Sequence, residues 1–130
     1  MAVNLLEHMP FANTLGIEIT ESEKTSIQAR LTVTTELATT GKILHGGAVM
    51  AYADTLGALG AFLNLPEGAK ATTTIDSKTN FLGPAPIGSV VIAHCTPVHV
   101  GRRTSVWQTR MHREEDGKKV ALVTQTQMVL

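Results

Sequence analysis

Residues 46–65 read Gly-Gly-Ala-Val-Met-Ala-Tyr-Ala-Asp-Thr-Leu-Gly-Ala-Leu-Gly-Ala-Phe-Leu-Asn-Leu, a run whose one charged group is Asp54. A helix over this run extends about 30 Å, the thickness of a bilayer core. The same composition also describes a helix enclosed by its own protein. Against the bilayer, Asp54 sits near the middle of the run, where a charge costs about 2.5–3.5 kcal/mol on insertion scales, and neither flank carries a basic anchor cluster. A core helix is expected, ending near Asn64 and Pro66.

The rest of the chain reads mostly as strands. Residues 3–9 suit a short amphipathic helix stopped by Pro10, after which Leu15, Ile17 and Ile19 alternate with polar neighbours. Ile27, Ala29, Leu31 and Val33 do the same, and the polar turn Glu21-Ser22-Glu23-Lys24 separates the two strands. A Thr- and Gly-bearing loop over 35–44 leads to the helix. Beyond it, Thr- and Val-rich segments near 71–82, 88–99, 102–113 and 118–130 predict four more strands, broken by Gly83-Pro84, Val100-Gly101 and Asp116-Gly117. Asp-Gly is a strong hairpin signal. The short connections predict antiparallel pairing across all three of these turns. The fold class is α+β. Because the helix is apolar around most of its circumference, the sheet must curve around it, or a second subunit must cover what the sheet leaves bare, or both.

At 130 residues, 43% apolar and 17% charged, the chain supplies one packed domain, 1–130. Eleven Lys and Arg balance eleven Asp and Glu, and the pI lies near 7.0, so no basic footprint marks a nucleic acid or an anionic membrane as partner. The ligand is expected to be small. The lone cysteine, Cys95, has no internal disulfide partner and reads as a buried small hydrophobe. With no secretory leader legible in Met1–His8, the expected compartment is the cytoplasm. His8, His45, His94, His99 and His112 show neither HxH nor HExxH spacing, so no metal site is expected. There is no phosphate-loop or dinucleotide fingerprint. Trp107 and Met111 share a strand face and read as core or subunit contact.

Chemistry concentrates at Leu44-His45-Gly46-Gly47 and Asp54. Two glycines at a helix start admit a ligand to the backbone, where unpaired N–H groups and the positive end of the helix dipole favour a developing oxyanion. An isolated Gly-Gly also makes a plain tight turn. Asp54 lies in an apolar helix with no basic residue nearby in sequence, and such carboxylates gather at functional sites. From Gly46 to Asp54 is about 12 Å along the axis, too far for both to touch one reacting carbonyl. If two helices pack antiparallel across a two-fold axis, the Gly46 amide of one subunit faces Asp54 of the other. A shared site requires a dimer.

Leu44-His45-Gly46-Gly47 followed by Asp54, with Thr74-Ile75-Asp76 and Asn80-Phe81-Leu82-Gly83-Pro84-Ala85, resembles the hotdog-fold acyl-CoA thioesterases of the PaaI and 4-hydroxybenzoyl-CoA thioesterase type. The likeness runs from about residue 11 to the end. It implies a single hotdog domain, a curved antiparallel sheet wrapped around one long central helix, in dimers that associate as tetramers. It further implies catalytic roles for Asp54, as general base or as nucleophile, for the Gly46 amide as oxyanion donor, and for Thr74 in holding the water. His45 would shape the loop and orient the thioester, or simply satisfy local backbone. Gly47, Asp76, Asn80 and Phe81 would contact coenzyme A, and Arg102 and Arg103 would lie near its phosphates or form only a solvated face. Thr39 stands where related enzymes often carry Asn or Gln, so a shorter hydroxyl replaces an amide.

The expected activity is hydrolysis of an acyl-CoA or aryl-CoA thioester to free acid and CoA, with no metal or redox cofactor, coenzyme A being part of the substrate. The alternative is a non-catalytic acyl-CoA-binding or regulatory hotdog protein. A dehydratase would need a His and an acid paired for proton transfer, which no motif here offers.

Overall fold

Glycine and proline punctuate the chain, and the elements fall between them. The computed structural model describes residues 8–130. Helix α1 spans Pro10–Leu15. The expected helix over 3–9 lies largely outside the described residues, and Pro10 opens a helix instead of stopping one. Proline suits the first helical position, where its missing N–H has no partner to lose. Gly16, at φ 80°, closes α1 in the left-handed conformation. Leu15 is therefore the last helical residue, not the first of a strand.

Strand β1 (Glu18–Glu23) and β2 (Ser26–Thr32) follow, joined at Lys24-Thr25, later than the expected turn at 21–24. The carboxamide of Asn64, which caps the long helix, donates to Lys24 O at 2.8 Å and anchors this turn. A loop with a 3-10 turn at Thr35–Leu37 leads to helix α2 (Gly46–Leu63), ending where the composition predicted. Strands β3 (Thr72–Phe81), β4 (Val90–Val100), β5 (Thr104–Arg113) and β6 (Lys119–Val129) complete the chain.

All pairs are antiparallel, in the order β1-β2-β4-β5-β6-β3. The β4–β5 and β5–β6 hairpins form as expected. At the second, the Asp116 carboxylate accepts from the Arg113 guanidinium and the Lys118 N–H, which hold its pKa down to about 2. Because that folded value is depressed, the contact is fully present above pH about 4 and is lost as pH falls through about 2. The third expected pairing, β3 with β4, does not form: β3 lies against β6 at the far edge. The 82–89 connection bonds instead to the loop before α2, through Leu44 N–H to Ala85 O and Ile87 N–H to Lys42 O. It carries the chain across the sheet, and β4 docks on β2.

Helix α2 touches every strand of the sheet. Six strands about 4.8 Å apart make a surface about 24 Å wide, more than twice a helix diameter, so the sheet has to curve to reach one helix with all of them. This is the α+β architecture the resemblance implies. Its core joins Tyr52, Leu56 and Leu59 of α2 to Ile27, Leu31, Val91, Trp107 and Met111. Tyr52 is fully buried, donates to Val91 O at 3.0 Å, and burial pushes its hydroxyl far above the usual tyrosine pKa. By hydropathy α2 could span a membrane, but half of it is buried in this core.

Cys95 is buried as expected, and burial pushes its thiol up to about 11. Since the thiolate is the reactive form, iodoacetamide at pH 8 should modify Cys95 only after urea unfolds the chain. Native protein alkylated as fast as a free thiol would contradict this packing.

Candidate active site

His45 sets up the mouth of α2. Its N–H donates to Leu37 O at 2.8 Å, tying the helix start to the preceding loop. Its ring caps the helix: Nδ1 accepts from the Gly47 N–H at 2.8 Å. The neutral ring then carries its proton on Nε2, which faces away from the cap as a donor. Ala48 N–H donates to His45 O at 2.9 Å. Among the described residues the Gly46 N–H donates to no acceptor. It is the one amide of this first turn left open to a ligand.

The ring of Phe81 lies over Gly46, 3.2 Å from where a Cβ would stand. Gly46, Gly47, His45 and Phe81 thus form one corner, and a hollow of about 230 Å³ adjoins it, lined by Phe11, Leu15, Leu37, His45, Gly47 and Ala48. Thr39 is turned into its own loop, its Oγ1 accepting from the Gly41 N–H at 3.1 Å.

Asp54 is two turns further along α2 and half-buried. Its Oδ1 accepts from the Thr74 hydroxyl at 2.6 Å, a short charge-assisted bond. Among the described residues the salt bridges are Arg30–Glu114 and Arg113–Asp116, so no cation neutralises Asp54. Thr74 faces the helix because of its place in the ladder, opposite the buried Gln127 of β6.

A bulge at Ile75 then changes the phase. Thr74 pairs with Gln127, but Asp76 pairs with Thr126, so Thr74 and Asp76 point to opposite faces. In an unbroken strand, positions two apart would share one. Asp76 and Asn80 therefore lie on the outer face of the sheet, away from Asp54, while Phe81, opposite the buried Ala121, lies on the inner face. Arg102 and Arg103 are exposed in the β4–β5 turn. Thr104, Met128 and Thr73 run side by side across the sheet, which places this turn at the Thr74 end of β3, two strands or about 10 Å over.

Within one chain, Gly46 and Asp54 stay apart as the helix geometry requires. Gly46 sits under the Phe81 end of β3 and Asp54 under the Thr74 end. Asp54, Ala58 and Phe62 form one stripe at helical spacing, and a second hollow of about 520 Å³ lies beside it, lined by Ala58, Leu59, Phe62, Ala71 and Thr72 with Lys70 and Met9. Among the described residues no three His, Cys, Asp or Glu side chains approach as a metal cluster.

Sequence reasoning missed Gln125 and Gln127. Both are buried, and the Gln127 Nε2 donates to Thr74 Oγ1 at 2.6 Å and to Gln125 Oε1 at 2.8 Å. The signal was present, since both are in phase with the apolar Val123 on one face of the last strand.

Residues 41–120 match the profile of a family described as the thioesterase superfamily. A putative esterase of Haemophilus influenzae is 37% identical over 102 residues, covering 78% of this chain and 72% of that protein. The 1,4-dihydroxy-2-naphthoyl-CoA thioesterase 2 of Arabidopsis thaliana is 34% identical over 97 residues, covering 75% of this chain and 60% of that protein. The crystal structure of thioesterase HI1161 from Haemophilus influenzae superposes with a TM-score of 0.88 at 32% identity, over 98% of this chain and 88% of that one.

Proposed function

Because this chain belongs to the thioesterase superfamily, we propose that it hydrolyses acyl-CoA or aryl-CoA thioesters to the free acid and CoA, at sites shared between two subunits. The activity class, thioester hydrolysis, follows from the relatives and the fold they share. The finer reading rests on one observation: a carboxylate with no cation among the described residues, held by a hydroxyl at 2.6 Å, stands on a helix whose first amide donates to none of them.

In this mechanism the Gly46 N–H binds the thioester carbonyl and strengthens its bond as negative charge builds on the oxygen, while Asp54 takes a proton from the attacking water. Thr74 occupies Oδ1 of Asp54, which leaves the other carboxylate oxygen for that water. His45 holds the turn that aims the Gly46 amide. The hollow beside Ala58 and Phe62 offers the acyl or aryl group an apolar berth, and Phe81 with Arg102 and Arg103 would contact the CoA portion. No metal or redox cofactor takes part. Asp76 and Asn80, on the outer face, could reach only a part of CoA that wraps around the sheet edge.

The open edge of β3 supports the dimer in this reading. Among the described residues strand β3 pairs on one side only, leaving a ten-residue edge with Ile75 and Phe81 exposed. Two such edges meeting antiparallel would set the Phe81 end of one chain beside the Thr74 end of the other, and with them Gly46 beside Asp54. Dimers would pair in turn as tetramers. The unpaired Cys95 thiol suits a cytoplasmic setting.

Complementation tests the shared site. Gly46→Pro removes the amide proton at the first helical position, where the proline backbone fits and His45 at φ −62° and ψ 137° already has the conformation that precedes proline, although its Cβ, 3.2 Å from the Phe81 ring, makes that ring give by a few tenths of an ångström. It should lower kcat about 10²–10³-fold. Coexpressed with Asp54→Asn at equal levels, it should regain about a quarter of wild-type activity, because half the dimers are mixed and each mixed dimer keeps one intact site. No regain would place both groups in one chain or in none. In a thiol-release assay over alkyl and aryl thioesters, binding without release would return the non-catalytic reading.

A further inference from the structure

Behind Asp54 lies a chain of side-chain hydrogen bonds that the reaction as described does not use. Gln125 Nε2 donates to Ala53 O at 2.8 Å, Gln127 Nε2 donates to Gln125 Oε1 at 2.8 Å and to Thr74 Oγ1 at 2.6 Å, and Thr74 donates to Asp54 Oδ1 at 2.6 Å. The chain begins and ends on α2, at the adjacent residues 53 and 54.

Its direction is forced. Ala53 O can only accept, so the Gln125 nitrogen must face it and the Gln125 oxygen must face Gln127. The Gln127 nitrogen then supplies both of its hydrogens, one to Gln125 and one to Thr74. Thr74 Oγ1 is thereby an acceptor on the Gln127 side, and its single proton has only Asp54 left to point at. No alternative assignment of amide oxygen and nitrogen satisfies Ala53 O.

We propose that Gln127, oriented by Gln125, is a positioning residue that locks the Thr74 hydroxyl proton onto Asp54 Oδ1 and so presents the second carboxylate oxygen to the attacking water. This rests on the thioesterase mechanism above.

Two independent observations support it. First, the arrangement is poor as packing alone. Gln127 is fully buried, and among the described residues its Oε1 has no hydrogen-bond partner, a desolvation cost that an aliphatic side chain at this position would not carry. Second, α2 makes room for the relay. A Cβ at Gly57 would overlap the Gln125 carboxamide, so a glycine in mid-helix, at a known cost in helix stability, is what admits Gln125 to Ala53 O.

The experiment is a double-mutant cycle on the full-length protein. Gln127→Met keeps length and volume and removes the amide. It should lower kcat about tenfold, the value of one hydrogen bond, with KM unchanged and the melting temperature near wild type, since the variant removes the unpartnered Gln127 Oε1 but leaves Gln125 Oε1 without its donor. In a Thr74→Val background, where no hydroxyl remains to be oriented, Gln127→Met should have no further effect on kcat. Full kcat in the single variant, or equal losses in both backgrounds, would overturn the proposal. A second measurement needs no variant: the Gln127 side-chain amide protons should exchange slowly with solvent in the wild-type protein, and fast exchange would overturn the relay. That exchange result stands whether or not thioesters are hydrolysed, so failure of the relay and failure of the assigned reaction are read separately.

Discussion

Asp54→Asn is expected to lower kcat for thioester hydrolysis about 10²–10⁴-fold, the range for loss of a positioned general base. The change is close to isosteric. The Asn oxygen can still accept from Thr74, whose hydroxyl sits 2.6 Å from Asp54 Oδ1, so the relay behind it and the seat of α2 remain. What disappears is the capacity to take a proton. KM for the CoA thioester and the melting temperature should therefore stay near wild type, and steady-state kinetics with a thiol-release assay separates the terms. A kcat within threefold of wild type would remove Asp54 from the chemistry. A single turnover in ¹⁸O-water tests for the nucleophile role: as base, Asp54 stays unlabelled while the released acid gains the label, whereas a mixed anhydride opened by water at the Asp54 carbonyl puts the label in Asp54 and releases the acid with an unlabelled Asp54 oxygen.

Gly60→Val is expected to produce the largest loss of stability from a change away from the site. A Cβ there would stand 2.6 Å from Trp107 Cζ3 and 2.8 Å from Cη2. The ring has little freedom to move, since Trp107 is fully buried and its Nε1 donates to Ser105 Oγ at 2.8 Å. Overpacking of this kind costs typically 1–3 kcal/mol, and valine adds two methyls beyond the Cβ. Its better helix propensity than glycine returns about 0.5 kcal/mol. We expect a net loss of about 2–3 kcal/mol and a fall in melting temperature of about 10 °C for a domain of this size. Trp107→Leu in the same chain should recover part of that loss, because it opens the volume the valine needs. Wild-type melting for Gly60→Val would mean that α2 is not seated on Trp107.

These two variants divide the molecule along the line between what was legible in the sequence and what was not. The helix Gly46–Leu63 was legible because its run is apolar and rich in alanine, opens on two glycines and closes before Pro66. Strand β2 was legible from alternation, β4, β5 and β6 from Thr- and Val-rich segments between turn residues, and two hairpins from Gly101 and Asp116-Gly117. The separation of Gly46 from Asp54 followed from helix rise alone, and the structure keeps them apart in one chain. Two features were misplaced for physical reasons, and a third was not legible at all. Proline breaks helices but also begins them, so Pro10 opens α1 where the sequence predicts a stop. The pairing of β3 with β6 joins segments some fifty residues apart in the chain, as in Thr74 with Gln127, and no local signal reports such a contact. The bulge at Ile75 inserts one residue into the ladder, which strand periodicity cannot anticipate, and it sends Asp76 and Asn80 to the face opposite Thr74.

Sequence by itself determined the class of fold, the long core helix, and the identities of the acid and the amide that make thioester chemistry conceivable, because periodicity, turn residues and helix rise act over a few neighbouring positions. Tertiary structure alone decided that β3 ends the sheet, that Thr74 rather than Asp76 meets Asp54, and that two buried glutamines stand behind that hydroxyl. Those outcomes depend on which distant segments share a ladder and on which hydrogen bonds remain once the sheet has closed on the helix.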